Sequence, residues 1–530
     1  MQTIFQAIIV FILTLFIVQN LSAGTKNNRK GDLLNRVSAH GGIVNFNSNG
    51  KQLTRFDSAA AAIDAHDGEI ALFDGVYYLY GTSYDCGYEW GNKTSSFCGF
   101  KCYSSQDLVN WVDRGFLFDA KIKLWQTRCN GSTYGCYRPH VIYNQASKKY
   151  VLWINVYDNQ VGYRVFTSNL PEGPFVEVAN PTLAANTDAP VAGLNNGDHD
   201  TFVDDDGSAY LAYTDWRTQG TILIEKLSAD YLTGTGKCVK SVTPGNTEAP
   251  AMFKRNGVYY LLYSDPNCGY CSGTGTSYRR ASNPLGPWSE GMSISANSCG
   301  GQPSFVSVIK RGSDVAYLYG SDLWNNGARN EALANYFWAP LSFAADGSIN
   351  PVDCKETMSA TNHPIKKTYP KNTDADYIIS NEGFTTLCDL RDSIQRTQSF
   401  VAGRSGTLTK IALATFKSGY PDASLNISVY HANKFHLPEG DPLSSFAIPA
   451  DSIGWAPKTI SISQNIRVLG GKAYVIVLNS SSSKGCYGIE YTESNASNGY
   501  ISTLSTEKGK SVVTDKSKKL MFRTFIENLR

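Results

Sequence analysis

Hydrophobic and polar positions alternate in short runs along most of this chain, and one run returns five times between about residues 60 and 320. Each copy opens on a polar residue, enters an apolar strand, turns on a small polar loop and leaves on a Tyr-rich strand. The copies are HDGEIALFDGVYYLYG from His66, RPHVIYNQASKKYVLWI from Arg138, DHDTFVDDDGSAYLAYTD from Asp198, EAPAMFKRNGVYYLLYSD from Glu248 and QPSFVSVIKRGSDVAYLYGSD from Gln302. A period of two is the signature of half-buried strands. A beat of roughly 50–70 residues is the scale of one four-stranded propeller blade. The pattern therefore predicts an all-β chain with a five-bladed β-propeller over residues 56–355. Asp74-Gly75, Asp206-Gly207 and Asn256-Gly257 read as two-residue hairpin turns, since Asx and Gly tolerate the positive φ such turns need. Asp204-Asp205-Asp206-Gly207 lacks the spacing of a calcium loop and reads as turn.

The pattern changes after residue 355. Residues 356–373 are rich in Lys, Thr and Asn and read as a linker, as residues 24–55 read as a polar lead-in. From residue 374 to 530, short alternating runs such as Leu408–Ala414, Leu425–Tyr430 and Ala473–Leu478 predict a second, jelly-roll-like β-sandwich, an accessory domain.

Charge and cysteine content narrow the setting. A formal net charge of +2 offers no basic surface for nucleic acid or anionic membrane. Residues 1–23 read as a signal peptide, with an apolar run over 7–18 ahead of Ser22-Ala23-Gly24. A secreted, extracellular protein follows, with no membrane association after cleavage. Its 12 cysteines are then expected mostly to pair. Cys388 and Cys486 stand alone in the C-terminal part and form one expected pair. Cys268-Gly-Tyr-Cys271 has no second CxxC and no nearby His, which favours a disulfide loop over a metal or redox site. Sequons at Asn92, Asn130, Asn426, Asn479 and Asn495 agree with a glycoprotein.

The opening residues carry the chemistry. The innermost strands of a propeller surround one channel, so Asp67, Arg138, Asp198, Glu248 and Gln302 are expected to converge. Carboxylates gathered at one point repel, and at least one is held protonated. Glycoside hydrolysis needs such a pair: one acid for the leaving oxygen, one carboxylate for water or attack.

At these residues the chain resembles the family-43 glycoside hydrolases, secreted five-bladed propellers that invert the anomeric centre. The resemblance covers residues about 60–350. It places Asp67 as the general base, Glu248 as the general acid, and Asp198 as the residue that tunes the acid and orients the sugar. Asp200 is the alternative third carboxylate. The Asp107-Leu108-Val109-Asn110-Trp111 segment is another mark. The Ala65-His66 lead-in, the run at Arg138 and Gly301-Gln302 look most like the galactan exo-1,3-β-galactosidase branch. That branch generally lacks the base Asp and is thought to use a Gln instead; this chain has both Asp67 and Gln302. It also has Gly68 where the family usually shows Pro, and Tyr137 where the branch usually carries Glu.

Expected sugar contacts are His66, Arg138 and Trp324, with His140, Trp90, Trp125 and Trp216 as further candidates. No cofactor is called for; the resemblance allows a structural calcium or sodium ion in the channel. The expected function is inverting hydrolysis of a galactan-, arabinan- or xylan-type polysaccharide or its side-chain sugars. The alternative is a sugar-binding, lectin-like propeller without catalysis.

Overall fold

The structure is a computed structural model. It describes residues 42–359 and 385–527, apart from 91–94, 131–133, 160, 187–195, 268–272, 312–313, 325–329, 356–357, 393, 494–500, 506–510 and 516–517. The expected signal peptide, most of the linker, and Cys268 and Cys271 lie outside the described residues.

Each repeat builds one antiparallel sheet in simple up-and-down order. The inner strands are His66–Phe73, Cys136–Asn144, Asn196–Val203, Glu248–Arg255 and Gln302–Arg311. Four sheets have four strands and the fifth has three. The inner strands neighbour one another in cyclic order, and the last returns to the first, which closes a β-propeller. The Ser307 hydroxyl donates to the Ile70 carbonyl across that closure. Apolar residues fill the space between neighbouring sheets, and each of the five gaps has its own cluster. Between the fifth and first sheets, Trp111 meets Trp338 edge-on at 5.8 Å. Trp125 is packing of this kind: it sits on the short helix Lys123–Arg128, buried against Phe118 and Phe166.

All five inner strands carry a bulge near their start. An extra residue there bends the strand and re-aims its side chains. Three bulges place a non-glycine residue in left-handed backbone: Asp67 at φ 55°, Arg138 at 55° and Ala249 at 52°. Close approach accompanies the first. A Cβ on Gly68 would lie 2.1 Å from the Tyr80 carbonyl oxygen, and one on Gly81 would lie 2.0 Å from the Ala65 carbonyl carbon. Gly68 is thus required by packing at the place where the family usually shows Pro.

Two of the three hairpins turn as expected, with positive φ at Asp74-Gly75 and Asn256-Gly257. The third does not. Strands end at Val203 and resume at Ala209, and the Asp204 amide donates to the Ser208 carbonyl, so the turn is longer. Asp204 is held by Lys254 Nζ at 2.6 Å and by the Tyr259 hydroxyl at 2.5 Å, which ties this run of aspartates to the next sheet.

Residues 385–527 form two further six-stranded sheets that share one apolar core. The runs at 408–414, 425–430 and 473–478 all lie in their strands. Residues 454–459 of this region sit against the propeller. Ala61 pairs with Lys458, the Ala62 amide donates to the Pro457 carbonyl, and the Ala456 amide donates to Asp85 at 2.7 Å. Asn330 Nδ2 reaches the carbonyls of Lys417 and Trp455. Met358–Ser359, inside the expected linker, pairs with Gly42–Ile43.

Disulfides join Cys86–Cys98, Cys129–Cys136, Cys299–Cys354 and Cys388–Cys486. Cys102 and Cys238 are free thiols. No helix among the described residues is long and apolar enough to cross a membrane.

Candidate active site

The leading ends of the inner strands open into a cavity of about 290 Å³. Asp67, Arg138, Asp198, Glu248 and Gln302 all line it, one from each sheet. Its walls are aromatic: Tyr84, Trp90, Tyr137, Tyr157 and Trp324. Asn267 completes the lining.

Arg138 is the hub. Its buried guanidinium donates through Nη2 to Asp198 Oδ2 at 2.8 Å and to Gln302 Oε1 at 3.2 Å. Gln302 in turn points Nε2 at Glu248 Oε2, 3.3 Å away. Asn267 Nδ2 donates to that same oxygen at 2.6 Å. Glu248 is raised to about 8, first by burial and then by the negative charge of Asp198, against the opposing pull of Arg138. Near neutral pH it carries its proton, as a general acid must.

Asp67 is built differently. Oδ1 accepts from the Thr82 hydroxyl at 2.7 Å and the Arg138 amide at 3.2 Å, and Oδ2 accepts from the Tyr84 hydroxyl at 3.1 Å. Burial raises it to about 7, and Arg138 and Thr82 oppose that rise. It is therefore a carboxylate poised to lose and regain a proton near neutrality.

Several expectations need correction. His66, expected at the sugar, is fully buried behind Asp67 and does not line the cavity. Its ring lies parallel to Tyr336 at 5.1 Å and is enclosed by Tyr84 and Trp324. Trp216 opens a short turn, with Gly197 and Gly220 against its ring, and does not line the cavity. Trp90 and Trp324 do line the cavity. Asp200 and His140 lie deeper, in a cluster with Glu69.

That cluster tests the channel ion. Glu69, His140 and Asp200 offer atoms within 4.8 Å of one another. Some of the oxygens are already engaged. Glu69 Oε1 accepts from the Val141 amide at 2.5 Å, Asp200 Oδ2 accepts from the Met252 amide at 2.5 Å, and Asp200 Oδ1 lies 3.0 Å from His140 Nδ1. Burial would lower His140, but the two carboxylates outweigh it and raise it toward imidazolium. Without an ion, the trio forms an ion-paired seam between sheets.

Asn267, Tyr84 and Tyr157 are the lining residues that sequence reasoning missed. Tyr84 and Tyr157 fall one or two positions past Thr82 and Val156, the ends of second strands. Position after the repeat's second strand would have been the signal for them. Asn267 falls among loop residues and gave none.

Residues 56–298 match the model of Glycosyl hydrolases family 43. The matched stretch is similar to that family over a little under half of the chain. A β-D-galactofuranosidase of Aspergillus niger is 29% identical over 228 residues, covering 42% of this chain and 62% of that protein. The chain thus spans less than two thirds of that curated relative. Among solved structures, an exo-β-1,3-galactanase of Phanerochaete chrysosporium in complex with galactose is 21% identical, covering 85% of this chain and 100% of its own, with a TM-score of 0.47. An exo-β-1,3-galactanase of Clostridium thermocellum is 19% identical, covering 92% of this chain and 87% of its own, with a TM-score of 0.49. The family-43 match ends inside the fourth sheet's last connection, so the fifth inner strand and Gln302 lie beyond it.

Proposed function

We propose that this protein is a secreted, inverting glycosidase that removes one terminal galactose-type sugar from a polysaccharide or its side chains. The observation that carries the reading is the pair of buried carboxyls in one aromatic cavity, Glu248 raised to about 8 and Asp67 to about 7. Inverting hydrolysis uses two such groups on opposite faces of the sugar. Glu248 gives its proton to the glycosidic oxygen as the C–O bond breaks. Asp67 takes a proton from the water whose oxygen bonds to the anomeric carbon. Both return to their starting states by exchange with solvent.

Asp198 keeps Glu248 protonated and, through Arg138, is itself held in place. Gln302 is a clamp in this reading. Its amide oxygen is taken by Arg138 and its nitrogen by Glu248, which leaves Asp67 to activate water. Arg138 and Trp324 are the sugar contacts, joined by Trp90. At about 290 Å³ the cavity is small for a ligand site and suits a single ring, hence attack from chain ends. A galactose-type sugar is supported by the motifs at Arg138 and Gln302 and by the galactofuranosidase relative. Four disulfides among the described residues support an oxidising, extracellular setting. Residues 374–530 are proposed as a β-sandwich accessory domain.

The test is product release from galactans and from galactopyranosides and galactofuranosides, with arabinans and xylans as comparison. Wild-type protein is expected to release a single monosaccharide. Glu248→Gln is expected to lower kcat about 10²–10⁴-fold. Sugar binding by wild type with no hydrolysis of any glycoside would replace the enzyme by a lectin-like propeller.

A further inference from the structure

The mechanism uses the side chain of Asp67, and the structure holds that residue from behind. Its backbone amide donates to Asp322 Oδ2 at 3.1 Å. The Ser304 hydroxyl donates to the same carboxylate. On the far side of Asp322 stands His66, with Nδ1 3.9 Å from Asp322 Oδ1 and Nε2 3.4 Å from Asp64 Oδ1. Asp64 accepts from the Ser83 hydroxyl at 2.5 Å and from the amides of Tyr84 and Asp85 at 2.8 and 3.1 Å. Tyr84 then closes the loop, because its hydroxyl donates to Asp67 Oδ2.

All three members are buried, at 1% exposure for Asp64, 0% for His66 and 3% for Asp322. A buried imidazole with a carboxylate near each nitrogen is stable as imidazolium, since the carboxylates would otherwise be uncompensated buried charges. Asp64, His66 and Asp322 do not line the cavity. The left-handed φ of Asp67 is the feature they support: that backbone costs energy for a residue with a Cβ and persists where surroundings fix it.

We infer that Asp64, His66 and Asp322 form a charged positioning relay. The relay clamps Asp67 through its amide and through Tyr84, and sets the charge around it. His66 is then a positioning residue for the water-activating carboxylate and makes no sugar contact. The inference rests on the reading of Asp67 as the base. The charged groups that face the relay are known. Asp67 faces Arg138 and Asp322, His66 faces Asp64, Asp322 and Asp67, Asp322 also faces Arg138, and Asp64 also faces Lys101 and Asp85.

The relay makes a signed claim. His66→Asn removes the positive charge and leaves Asp322 uncompensated beside Asp67. The acidic limb of kcat/KM is expected to move up by about half to one pH unit. Asp322→Asn removes a negative charge, and the same limb is expected to move down by about as much. A merely structural role lowers activity in both variants without opposite shifts, and that result would overturn the relay. Asp67→Asn separates the two readings. If it keeps full activity and the acidic limb, the base assignment fails; if it loses both while the relay variants leave the limb in place, only the relay fails. Histidine-labelled wild-type protein covers the case of variants that do not fold. The His66 ring is expected by NMR to lose its proton only above the ordinary histidine range, and titration at or below that range would sink the proposal.

Discussion

Asp67 and Glu248 are both buried carboxyls, yet their surroundings prepare them for opposite work. Asp67 accepts three hydrogen bonds, which favour its charged form, and has the Arg138 charge nearby. Glu248 has Asp198 beside it, which favours the neutral form. In the proposed mechanism the base Asp67 must be ionised and the acid Glu248 protonated, so activity needs a pH above the first and below the second. A bell-shaped kcat/KM profile is expected, falling below about 7 and above about 8. An Asp198→Asn variant removes the charge that raises Glu248, so its basic limb is expected to move to lower pH. A profile with no basic limb would contradict the role of Glu248. Glu248 and Asp198 were legible in the chain because each opens a repeat, and a propeller brings repeat openings together. His66 was misread for a physical reason. Its neighbours Asp64 and Asp322 are far apart in the chain, and only the closed ring turns a residue beside the base into one walled off behind it.

At the scale of elements, the inner-strand bulge is what turns the proposed site residues toward the cavity. A regular strand would alternate its side chains and point every second one into a neighbouring sheet. The bulge spends one residue to turn Asp67 and Arg138 into the channel mouth. Period-two patterning showed where strands run, but a one-residue bulge hardly disturbs that pattern, so it stayed invisible. Glycine marks it in retrospect. Gly81→Ala is expected to cost about 1–3 kcal/mol, because its Cβ would meet main chain at Ala65 and His66, which cannot yield like a side chain. It should also displace Asp67 and lower kcat. Gly75→Ala, at a hairpin tip with nothing within 4 Å of the added Cβ, should cost about 1–2 kcal/mol from its left-handed φ and leave kcat intact. Urea unfolding and initial rates on both variants check the pair, and equal losses of activity would refute the argument.

Over the whole molecule, buried acids dominate the response to pH. Glu490, where the C-terminal sheets meet the lead-in, accepts from Thr54 at 3.0 Å through one oxygen. Its other oxygen has no partner, and burial raises it to about 8. The unfolded chain releases this proton near pH 4, so the folded form binds it more tightly. Stability from this group is full at low pH and is lost as pH rises from about 4 through about 8. Asp67, Glu69, Glu248 and Asp85 are raised as well and act in the same direction. The Tm is expected to fall between pH 5 and pH 9. In Glu490→Gln it should fall less, so that the variant gains on wild type as the solution turns alkaline. A Tm difference that does not change with pH would show that Glu490 is not the cause.

The contacts at residues 454–459 make these two halves depend on each other. Modules hung on flexible tethers are traded freely between enzymes, because nothing in the donor is shaped to the recipient. Here the main chain of one half is hydrogen-bonded to the main chain of the other, at Ala62 with Pro457 and at Thr459 with Ala60. The same seam pins Asp85, the neighbour of the residue that holds His66. A foreign partner would leave those amides unmatched and unsettle the loop behind Asp67. These two halves are therefore expected to be inherited as one unit, and a chain cut after residue 355 should be recovered as aggregate.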